Sequence, residues 1–594
     1  MDHTYRTTSR TARRRGLAAW SGLLPARKTI ILLLVLLLGL GGYLLAPADP
    51  QPGAYAAQIN VSVNGQPLQV ALPFTLGREA GEPVAVTTTA GAYTLTVEGY
   101  DAYRLGPSQP VTYRLQVTDR NGHSLYIPQQ DVSSTISGQR YTQSLPPTGR
   151  DGDWLTFSMR LPFKARIATA LLFAVALLWV TELVPLAAAA LLIPVVVVVS
   201  GITDADTVLQ PFFHPIVALF FAGFLLAEAM RRTAVDRLLA LNILRRASLK
   251  PAFLMLTMMS LTAFLSMWMS NTAAAAIVIP IALAVLDRIP EAEGRTGYRR
   301  ALILGIAYSA TIGGIGSAIG TPANILAMTF LNDLAGTTLG FADWFGYGLP
   351  VVLIMLPVVW LYLLLAFRVR FRGSDSHISR DVYDGELKQP LRKEQIIVLL
   401  VFVAIVALWL TDRWHQIDTG IVALGGVLLL FLTGTVQKED LNVINWNALL
   451  TFGGGLALGN VLVMTGVSDW VALQLTGLVV LPPLFVIFLV AGLTLLIGAF
   501  ISNTACAAML IPLAIPLAQI LHMDPRLLVV IIAIASSIDF ALVVGTPPTM
   551  MAYATGHFQA QDIFKRGILL DLLGVLILSF GIIWLWRLLG LVAF

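Results

Sequence analysis

Long apolar stretches separated by short polar interruptions cover most of this chain. Residues 30–48 and 396–410, for example, contain no charged side chain. A helix needs about 20 largely apolar residues to cross a bilayer, so these stretches predict an all-α polytopic membrane protein with about 11 spans. The predicted spans lie at roughly 29–46, 166–184, 186–201, 215–230, 301–331, 349–368, 396–411, 419–435, 447–464, 527–555 and 568–591.

Residues 47–163 show a different pattern, in which apolar and polar positions alternate. Residues 59–63 and 68–72 alternate on either side of Asn64-Gly65, a pair that favours a type I′ hairpin turn. The period of two predicts about six or seven strands and therefore a small β-sandwich-like domain. The further alternating segments lie at 93–97, 113–117, 124–127 and 154–159.

Two very apolar segments, 251–286 and 482–517, each carry the tripeptide Ser-Asn-Thr near their middle. Two full helices would place that tripeptide at the far surface of the membrane, whereas a re-entrant hairpin would place it near the midplane. We expect a re-entrant hairpin in each segment, because a polar turn at membrane depth is tolerated where it lines a cavity. The tripeptides are Ser270-Asn271-Thr272 and Ser502-Asn503-Thr504.

Each tripeptide is followed by a Gly-Thr-Pro sequence, at residues 320–322 in the first half and 545–547 in the second. Other matched pairs, such as 178–182 with 408–412, recur at a nearly constant separation. The distribution of basic loops predicts that the first copy starts by crossing inward and the second by crossing outward. An inverted repeat with interrupted helices is typical of secondary transporters.

Composition supports the same class of protein, since 56% of the residues are hydrophobic and only 12% are charged. A soluble domain would carry about 25% charged residues. The basic residues cluster in short loops and mark orientation, so the net charge of +5 does not indicate nucleic-acid binding. The single cysteine, Cys506, excludes an intramolecular disulfide bond.

These patterns divide the chain into six segments, with the N-terminus in the cytoplasm, the C-terminus outside, and the whole in the cell (inner) membrane. The predicted segments are a basic cytoplasmic tail (1–28), a retained first span (29–46), an extracytoplasmic β-rich domain (47–163), membrane repeat 1 with its hairpin (164–368), a cytoplasmic linker (369–394) and membrane repeat 2 with its hairpin (395–594).

The tripeptides and the Gly-Thr-Pro sequences offer complementary chemistry. Ser, Asn and Thr are good N-cap residues, so the half-helices that follow would present unpaired amides and the positive end of a dipole to an anion. Breaks at glycine and proline free backbone carbonyls, which suit a hard cation such as Na⁺. Thr321 and Thr546, the middle residues of the two Gly-Thr-Pro sequences, are further candidate contacts for the substrate. The alternative is that these glycines and prolines only relieve helix packing.

The chain resembles the divalent anion–sodium symporter family over residues 166–594 and in its first span. The resemblance rests on both tripeptides, both Gly-Thr-Pro sequences, Trp179-x-Thr181-Glu182-x-x-Pro185, and Asn445-Trp446-Asn447 leading into Gly453-Gly454-Gly455. It implies a homodimer with an elevator-type mechanism, in which the two tripeptides contact the carboxylates of the substrate. It also implies two Na⁺ sites, one formed by Ser266, Asn271 and Gly320 and the other by Asn503, Gly545 and Pro547.

Three residues in the second half depart from the family pattern. Thr549 follows Thr546-Pro547-Pro548 where the family usually has asparagine. Gly498 stands where a hydroxyl residue is common, so only its carbonyl could serve the second cation. Asp539 is a carboxylate where an uncharged residue is expected, and a carboxylate within a membrane is a candidate functional group. It is a possible coupling residue that binds a cation or a proton, or a structural partner of a neighbour.

The sequence therefore predicts a secondary active transporter of small di- or polyanions, not an enzyme, with C4-dicarboxylates or citrate as the first choice of substrate and Na⁺ as the coupling ion. The alternatives are a carrier of sulfate or another inorganic oxyanion, and a dicarboxylate exchanger that does not use Na⁺. A receptor, in which the β-rich domain senses a ligand, is the hypothesis from a different class.

Overall fold

A computed structural model describes residues 31–77, 81–104, 110–128, 131–138, 141–145, 147–245, 250–286, 295–369 and 391–592. The predicted tail (1–28) and most of the predicted linker (369–394) lie outside these residues. Within them the chain forms a β-rich segment (53–159) inserted between one apolar helix, Ile31–Leu45, and a large helical part that begins at Ala165.

The β-rich segment consists of two five-stranded sheets, with strand orders β5-β2-β1-β7-β8 and β3-β4-β6-β10-β9. In the β1–β2 hairpin, Asn64 and Gly65 both have positive φ, as a type I′ turn requires. Residues 124–127, expected to form a strand, make only an isolated bridge between Thr118 and Ser124. The strands are β1 Gly53–Val63, β2 Gln66–Leu76, β3 Pro83–Ala90, β4 Tyr93–Tyr100, β5 Ala102–Tyr103, β6 Val111–Asp119, β7 Val132–Gly138, β8 Tyr141–Leu145, β9 Gly149–Asp151 and β10 Trp154–Met159.

The two sheets pack face to face through alternating buried side chains. Leu72 of β2 and Tyr113 of β6 both lie close to Gly99 of β4, where an added Cβ would be 2.5 and 3.2 Å from them. The Tyr103 hydroxyl donates a 2.6 Å hydrogen bond to the carbonyl of Thr112 in the other sheet. Burial of one face of each sheet explains the period of two in the sequence.

Six helices in the described part of the chain are long and apolar enough to cross a membrane. They are Ala205–Thr233 (which includes a 3₁₀ turn at Gln210–Phe213), Phe341–Ala366, Lys393–Leu410, Trp446–Met464, Asn503–Ile520 and Ala560–Leu588 (which includes a π-helical turn at Ile577–Ile582). The other α-helices are Ala165–Thr181, Leu186–Val199, Val235–Arg245, Pro251–Ser266, Asn271–Leu286, Arg295–Ile315, Pro322–Ala335, Asp412–His415, Thr419–Leu432, Val467–Gln474, Pro483–Gly498, Pro525–Ala535 and Pro547–Ala554.

Each segment that carries a tripeptide forms a pair of helices joined by a short turn. The first pair is Pro251–Ser266 and Asn271–Leu286, and the second is Pro483–Gly498 and Asn503–Ile520. A helix of 16 residues, the length of three of these four, is about 24 Å long. That length is shorter than a hydrocarbon core of about 30 Å, as is expected for the helices of a re-entrant hairpin. We call these pairs the first and second hairpins.

The Gly-Thr-Pro sequences lie where helices break. Helix Arg295–Ile315 ends before a non-helical stretch at 316–321, and a new helix begins at Pro322. Helix Pro525–Ala535 likewise ends before a longer stretch at 536–546, and a new helix begins at Pro547. Proline is favoured as the first residue of a helix, where its missing N–H has no intrahelical partner to lose. We call these stretches the first break and the second break.

The β-rich segment contacts the helical part close to the end of β10. The amide of Arg160 donates a 2.9 Å hydrogen bond to the Asp469 carboxylate, and the amide of Phe163 donates one of 3.1 Å to the Thr465 carbonyl. Gly466 has a φ of 69° and packs against the carbonyls of Arg160 and Leu161, so a side chain there would collide with them.

Candidate anion and cation site

One cavity of about 350 Å³ lies between the two hairpins and the two breaks. Its polar wall contains all eight residues predicted to contact substrate: Ser270, Asn271, Thr272, Ser502, Asn503, Thr504, Thr321 and Thr546. Segments separated by more than 200 residues of sequence thus meet at one place. Of the predicted cation ligands, Asn271, Gly320, Asn503, Gly545 and Pro547 also line this cavity, whereas Ser266, Gly498 and Asp539 lie behind its wall.

Four helices begin at the cavity, two from the hairpins and two from the breaks. Ser502 is the N-cap of Asn503–Ile520 and accepts a hydrogen bond of 3.3 Å from the amide of Ala505. Ser270 accepts an equivalent bond of 3.3 Å from Ala273. Thr321 and Thr546 are the N-caps of the helices that follow the breaks. The first amides of a helix lack intrahelical acceptors, so the two hairpin helices present donors to the cavity. The helices after the breaks offer fewer donors, because Pro322, Pro547 and Pro548 have no N–H, and they contribute mainly the positive end of the helix dipole.

The two helix ends at the breaks differ from the sequence-based expectation, in which the prolines only interrupt a continuous span. A threonine followed by proline is, however, a typical N-cap and first helical residue, and that signal could have revealed them. Asn445, Asn447 and Thr451, which are absent from the predicted site, line the cavity from the start of helix Trp446–Met464. Asn447 is held there by a 2.8 Å hydrogen bond from the amide of Ala187.

The electrostatics of the cavity come from the backbone, since none of the described residues that line it is ionisable. Each helix N-terminus acts as about half a positive charge, so four of them supply about two positive charges in total. This matches the charge of a dianion. The rest of the lining is largely apolar and includes Leu186, Leu219, Phe220, Phe224 and Trp268. An organic dianion, with charged ends and an apolar middle, would therefore fit both walls.

The residues behind the first tripeptide suit a cation. The Ser266 hydroxyl is fully buried and lies 2.7 Å from Asn271 Oδ1 and 2.6 Å from the Ala310 carbonyl oxygen. One hydroxyl carries a single proton, so it can satisfy only one of these two acceptors at a time. Three oxygens held this closely around one proton are a suitable environment for Na⁺. Gly314, at the end of the helix before the first break, packs against this group, since an added Cβ there would be 2.4 Å from Asn271 Oδ1.

The second half of the molecule is built differently behind its tripeptide. Gly498 occupies the place that corresponds to Ser266, four residues before the tripeptide, and has no hydroxyl to offer. It lies beside Ser536, whose carbonyl oxygen would be 3.5 Å from an added Cβ. The Asn503 amide nitrogen lies 3.5 Å from the Ser537 hydroxyl, which is a weak hydrogen bond. Asp539 lies in the second break and is 2% exposed.

Comparison with known proteins agrees with this geometry. Residues 155–592 match the family described as the sodium:sulfate symporter transmembrane region. The chain belongs to the divalent anion–sodium symporter family. It is therefore a multi-pass membrane protein of a transporter family, as its sequence predicts.

Several curated relatives are similar along most of their length. An uncharacterized transporter of Haemophilus influenzae is 33% identical over 438 residues, which cover 70% of this chain and 92% of that protein. The sodium-dependent dicarboxylate transporter SdcS of Staphylococcus saprophyticus is 32% identical, with coverage of 67% and 82%. SdcS of Staphylococcus aureus is 31% identical, with coverage of 70% and 85%.

Proposed function

We propose that this protein is a secondary active transporter of small organic dianions or polyanions, with C4-dicarboxylates as the preferred class and Na⁺ as the coupling ion. The single observation that carries the proposal is the convergence of four helix N-termini on one cavity without ionisable side chains. Such a site attracts an anion without binding it so tightly that release becomes slow. The relatives named as sodium-dependent dicarboxylate transporters support the same substrate class.

In this proposal the two tripeptides bind the two ends of the substrate, and Thr321 and Thr546 complete the polar wall. Ser266, Asn271 and Gly320 hold one Na⁺, and Asn503, Gly545, Pro547 and the carbonyl of Gly498 stand at a second. The cations offset the charge of the substrate and fix the hairpin tips in the geometry that binds it. Uptake would then depend on Na⁺ because the anion site is complete only when the cations are bound.

The two hairpins and two breaks would move together as one body against the remaining helices, in an elevator-type cycle. We place the hairpins in an inverted repeat, with the N-terminus cytoplasmic and the β-rich segment extracytoplasmic in the cell (inner) membrane. A homodimer, with its static part formed by the remaining helices, is part of the same proposal and follows from the family resemblance.

Uptake into proteoliposomes tests the proposal. Purified protein is reconstituted, and uptake of labelled succinate, citrate and sulfate is measured with an inward Na⁺ gradient, with equal Na⁺ on both sides, and with K⁺ replacing Na⁺. We expect succinate uptake that needs the Na⁺ gradient. Preference for sulfate would favour the inorganic oxyanion alternative. Uptake that needs only internal dicarboxylate would favour the exchanger, and no uptake of any of these anions would contradict the proposal.

The receptor hypothesis is distinguished by deletion of residues 52–160. If the β-rich segment is accessory, the remaining helices still transport the anion. If the protein is a receptor, neither form transports, and binding of a ligand is lost with the deleted segment.

A further inference from the structure

The two breaks share the Gly-Thr-Pro sequence, but the structure fills them differently. The side chain at the first break is a hydrogen-bond donor, and the side chain at the second is a carboxylate, which accepts hydrogen bonds when ionised. Asn324 lies four residues after Gly320, and Thr549 lies four residues after Gly545. Gly314 lies six residues before Gly320, and Asp539 lies six residues before Gly545. The second half therefore has threonine where the first has asparagine, and aspartate where the first has glycine.

In the first break, Asn324 fills the gap left by the missing helical hydrogen bonds. Its buried amide nitrogen lies 2.9 Å from the Gly314 carbonyl, 2.7 Å from that of Ser317 and 3.3 Å from that of Ile315. The first break is thus stabilised by a donor from within the protein. Free carbonyls at membrane depth need such a donor.

Thr549 cannot play this part in the second break. Its hydroxyl lies 2.9 Å from the Thr546 hydroxyl, which is on the same turn of chain, and it is shorter than an asparagine. The side chain that occupies the second break is instead Asp539. Its Oδ2 lies against the α-carbon of Gly545, since an added Cβ there would be 1.6 Å from that oxygen. An ionised carboxylate only accepts hydrogen bonds, so it cannot satisfy free carbonyls.

Asp539 is itself without a hydrogen-bond donor of normal geometry among the described residues. Both of its carboxylate oxygens are buried and unsatisfied, and it forms no salt bridge in that part of the chain. The polar groups around it form hydrogen bonds with other partners. Asp571 accepts hydrogen bonds from the amides of Phe540 (2.8 Å) and Ala541 (3.1 Å). The Tyr308 hydroxyl donates to the Phe540 carbonyl (2.7 Å). The hydrogen bond to the Phe540 amide places the Asp571 carboxylate at the residue that follows Asp539, so it brings further negative charge to this stretch of chain.

A carboxylate that is buried without a satisfactory hydrogen-bond donor and, among the described residues, without a cationic partner is costly. We infer that Asp539 is a direct ligand of a monovalent cation, namely Na⁺, held within the second break. In this inference the cation takes the place in the second break that the neutral Asn324 amide, as a hydrogen-bond donor, takes in the first. Carboxylate and carbonyl oxygens are the ligands that hard cations prefer.

This inference rests on the proposed function, since it treats Na⁺ as a transported ion, but it adds a ligand that the family resemblance does not supply. It also predicts an asymmetry between the two cation sites. The site behind the first tripeptide is neutral, whereas the site at Asp539 carries a formal negative charge. The latter therefore fills first as Na⁺ is raised, before substrate is present.

Binding of ²²Na⁺ to the purified full-length protein, without substrate and at constant ionic strength and pH, tests the inference. Loss of a group that only orients a metal ligand costs about 10- to 100-fold in affinity. We therefore expect Asp539→Asn to weaken Na⁺ binding at the tighter site at least about tenfold. Asp469→Asn, which alters a carboxylate at the β-rich segment, is the matched control and is expected to leave Na⁺ affinity unchanged.

A second variant distinguishes the loss of a cation ligand from misfolding caused by Asp539→Asn. The double variant Asp539→Ala/Thr549→Asn gives the second break the neutral amide-filled arrangement of the first, and it is expected to be as thermally stable as the wild type. It is also expected to lack the tighter Na⁺ site and to show no stabilisation by low Na⁺. Stabilisation of the wild type, measured as the shift of its unfolding temperature, should follow Na⁺ and not K⁺ or choline.

Unchanged Na⁺ affinity in both variants would overturn the inference. A stabilisation that depends on Asp539 but follows pH instead of Na⁺ would also overturn it, because the site would then hold a proton. These results are separable from failure of the proposed function, which would appear as a wild-type protein that binds Na⁺ but transports none of the anions tested.

Discussion

Two asparagines, Asn271 and Asn503, stand at the centre of the proposed site, one at the tip of each hairpin. A carboxamide offers both a donor and an acceptor, so one side chain is able to contact an anion and a cation together. The structure shows this division most clearly for Asn271, whose Oδ1 lies 2.7 Å from the buried Ser266 hydroxyl. The side chain therefore links the substrate wall to the oxygens behind it.

Replacement of either asparagine by alanine is expected to abolish Na⁺-dependent succinate uptake, because it removes an anion contact and a cation ligand together. The measurement is initial uptake into proteoliposomes, normalised to inserted protein. Asn242→Ala changes an exposed asparagine on helix Val235–Arg245 and is expected to transport normally. Near-normal uptake in Asn271→Ala or Asn503→Ala would show that the tips do not form the site.

Gly314→Ala is expected to weaken Na⁺ dependence while the protein still folds. The new methyl group would come within 2.4 Å of Asn271 Oδ1 and push that side chain out of place. We expect the Na⁺ concentration for half-maximal uptake to rise about tenfold, the lower end of the effect of disturbing a metal ligand. Gly492→Ala is the matched control, because a methyl group there would meet nothing within 4 Å. Equal Na⁺ dependence in both variants would contradict the assigned role of Asn271.

The sequence predicts the site residues better than it predicts their setting. Both tripeptides and both Gly-Thr-Pro sequences could be recognised because short polar side chains and helix breakers are conspicuous in apolar sequence. The sequence could not show that Thr549 fails to replace Asn324, or that Asp539 lacks a hydrogen bond of normal geometry among the described residues. Those facts depend on distances between residues on opposite sides of a break, and no periodic pattern records them.

The helices and strands follow from local patterns, and their ends depend on a few residues. The first β hairpin forms at Asn64-Gly65 because both residues adopt positive φ, which most other residues resist. The helices after the breaks begin at Pro322 and Pro547, because proline at the first position of a helix loses no intrahelical hydrogen bond. The strand expected at 124–127 does not form as such, because that segment contacts its neighbour only near Ser124 and Leu125.

Docking of the β-rich segment on the helical part is expected to weaken as pH rises through about 6. Burial raises the pKa of Asp469 to about 6 from its ordinary value of 3.8, although the Arg160 amide opposes this. A raised pKa favours the protonated form in the docked state, so this stabilisation is complete below about pH 3.8 and is lost as pH rises past 6. Protease sensitivity of the 147–165 region, measured from pH 4.5 to 7.5, reports the docking.

Asp469→Asn keeps the acceptor for the Arg160 amide but removes the charge, so it is the matched variant for this prediction. We expect its protease sensitivity to be independent of pH over the same range. A pH dependence equal to that of the wild type would mean that another group controls the docking.

The molecule as a whole joins two parts that differ in construction. The helical part supplies the cavity, and the β-rich segment contacts it near Asp469, Thr465 and Gly466, away from the residues that line the cavity. Removal of residues 52–160 with a short flexible linker in their place is therefore expected to leave Na⁺-dependent uptake within about threefold of the wild type, since loops remote from the site tolerate large changes. Loss of uptake in a correctly inserted protein would show that the segment takes part in transport.

The class of protein was predictable from the sequence because the apolar spans and the doubled motif are long-range regularities. The pairing of strands into two sheets was less predictable from the sequence, because alternation defines a buried face but does not identify the neighbour of each strand. The difference between the two breaks depends on the contacts of Asn324, Thr549 and Asp539, which no long-range pattern records.

Succinate uptake by the wild-type protein in proteoliposomes, driven only by an imposed Na⁺ gradient, tests the proposed site most directly. We predict accumulation above the external concentration that collapses when Na⁺ is equal on both sides and is absent in Asn271→Ala and Asn503→Ala. Uptake that is the same with and without the gradient, or that survives in both variants, would contradict it.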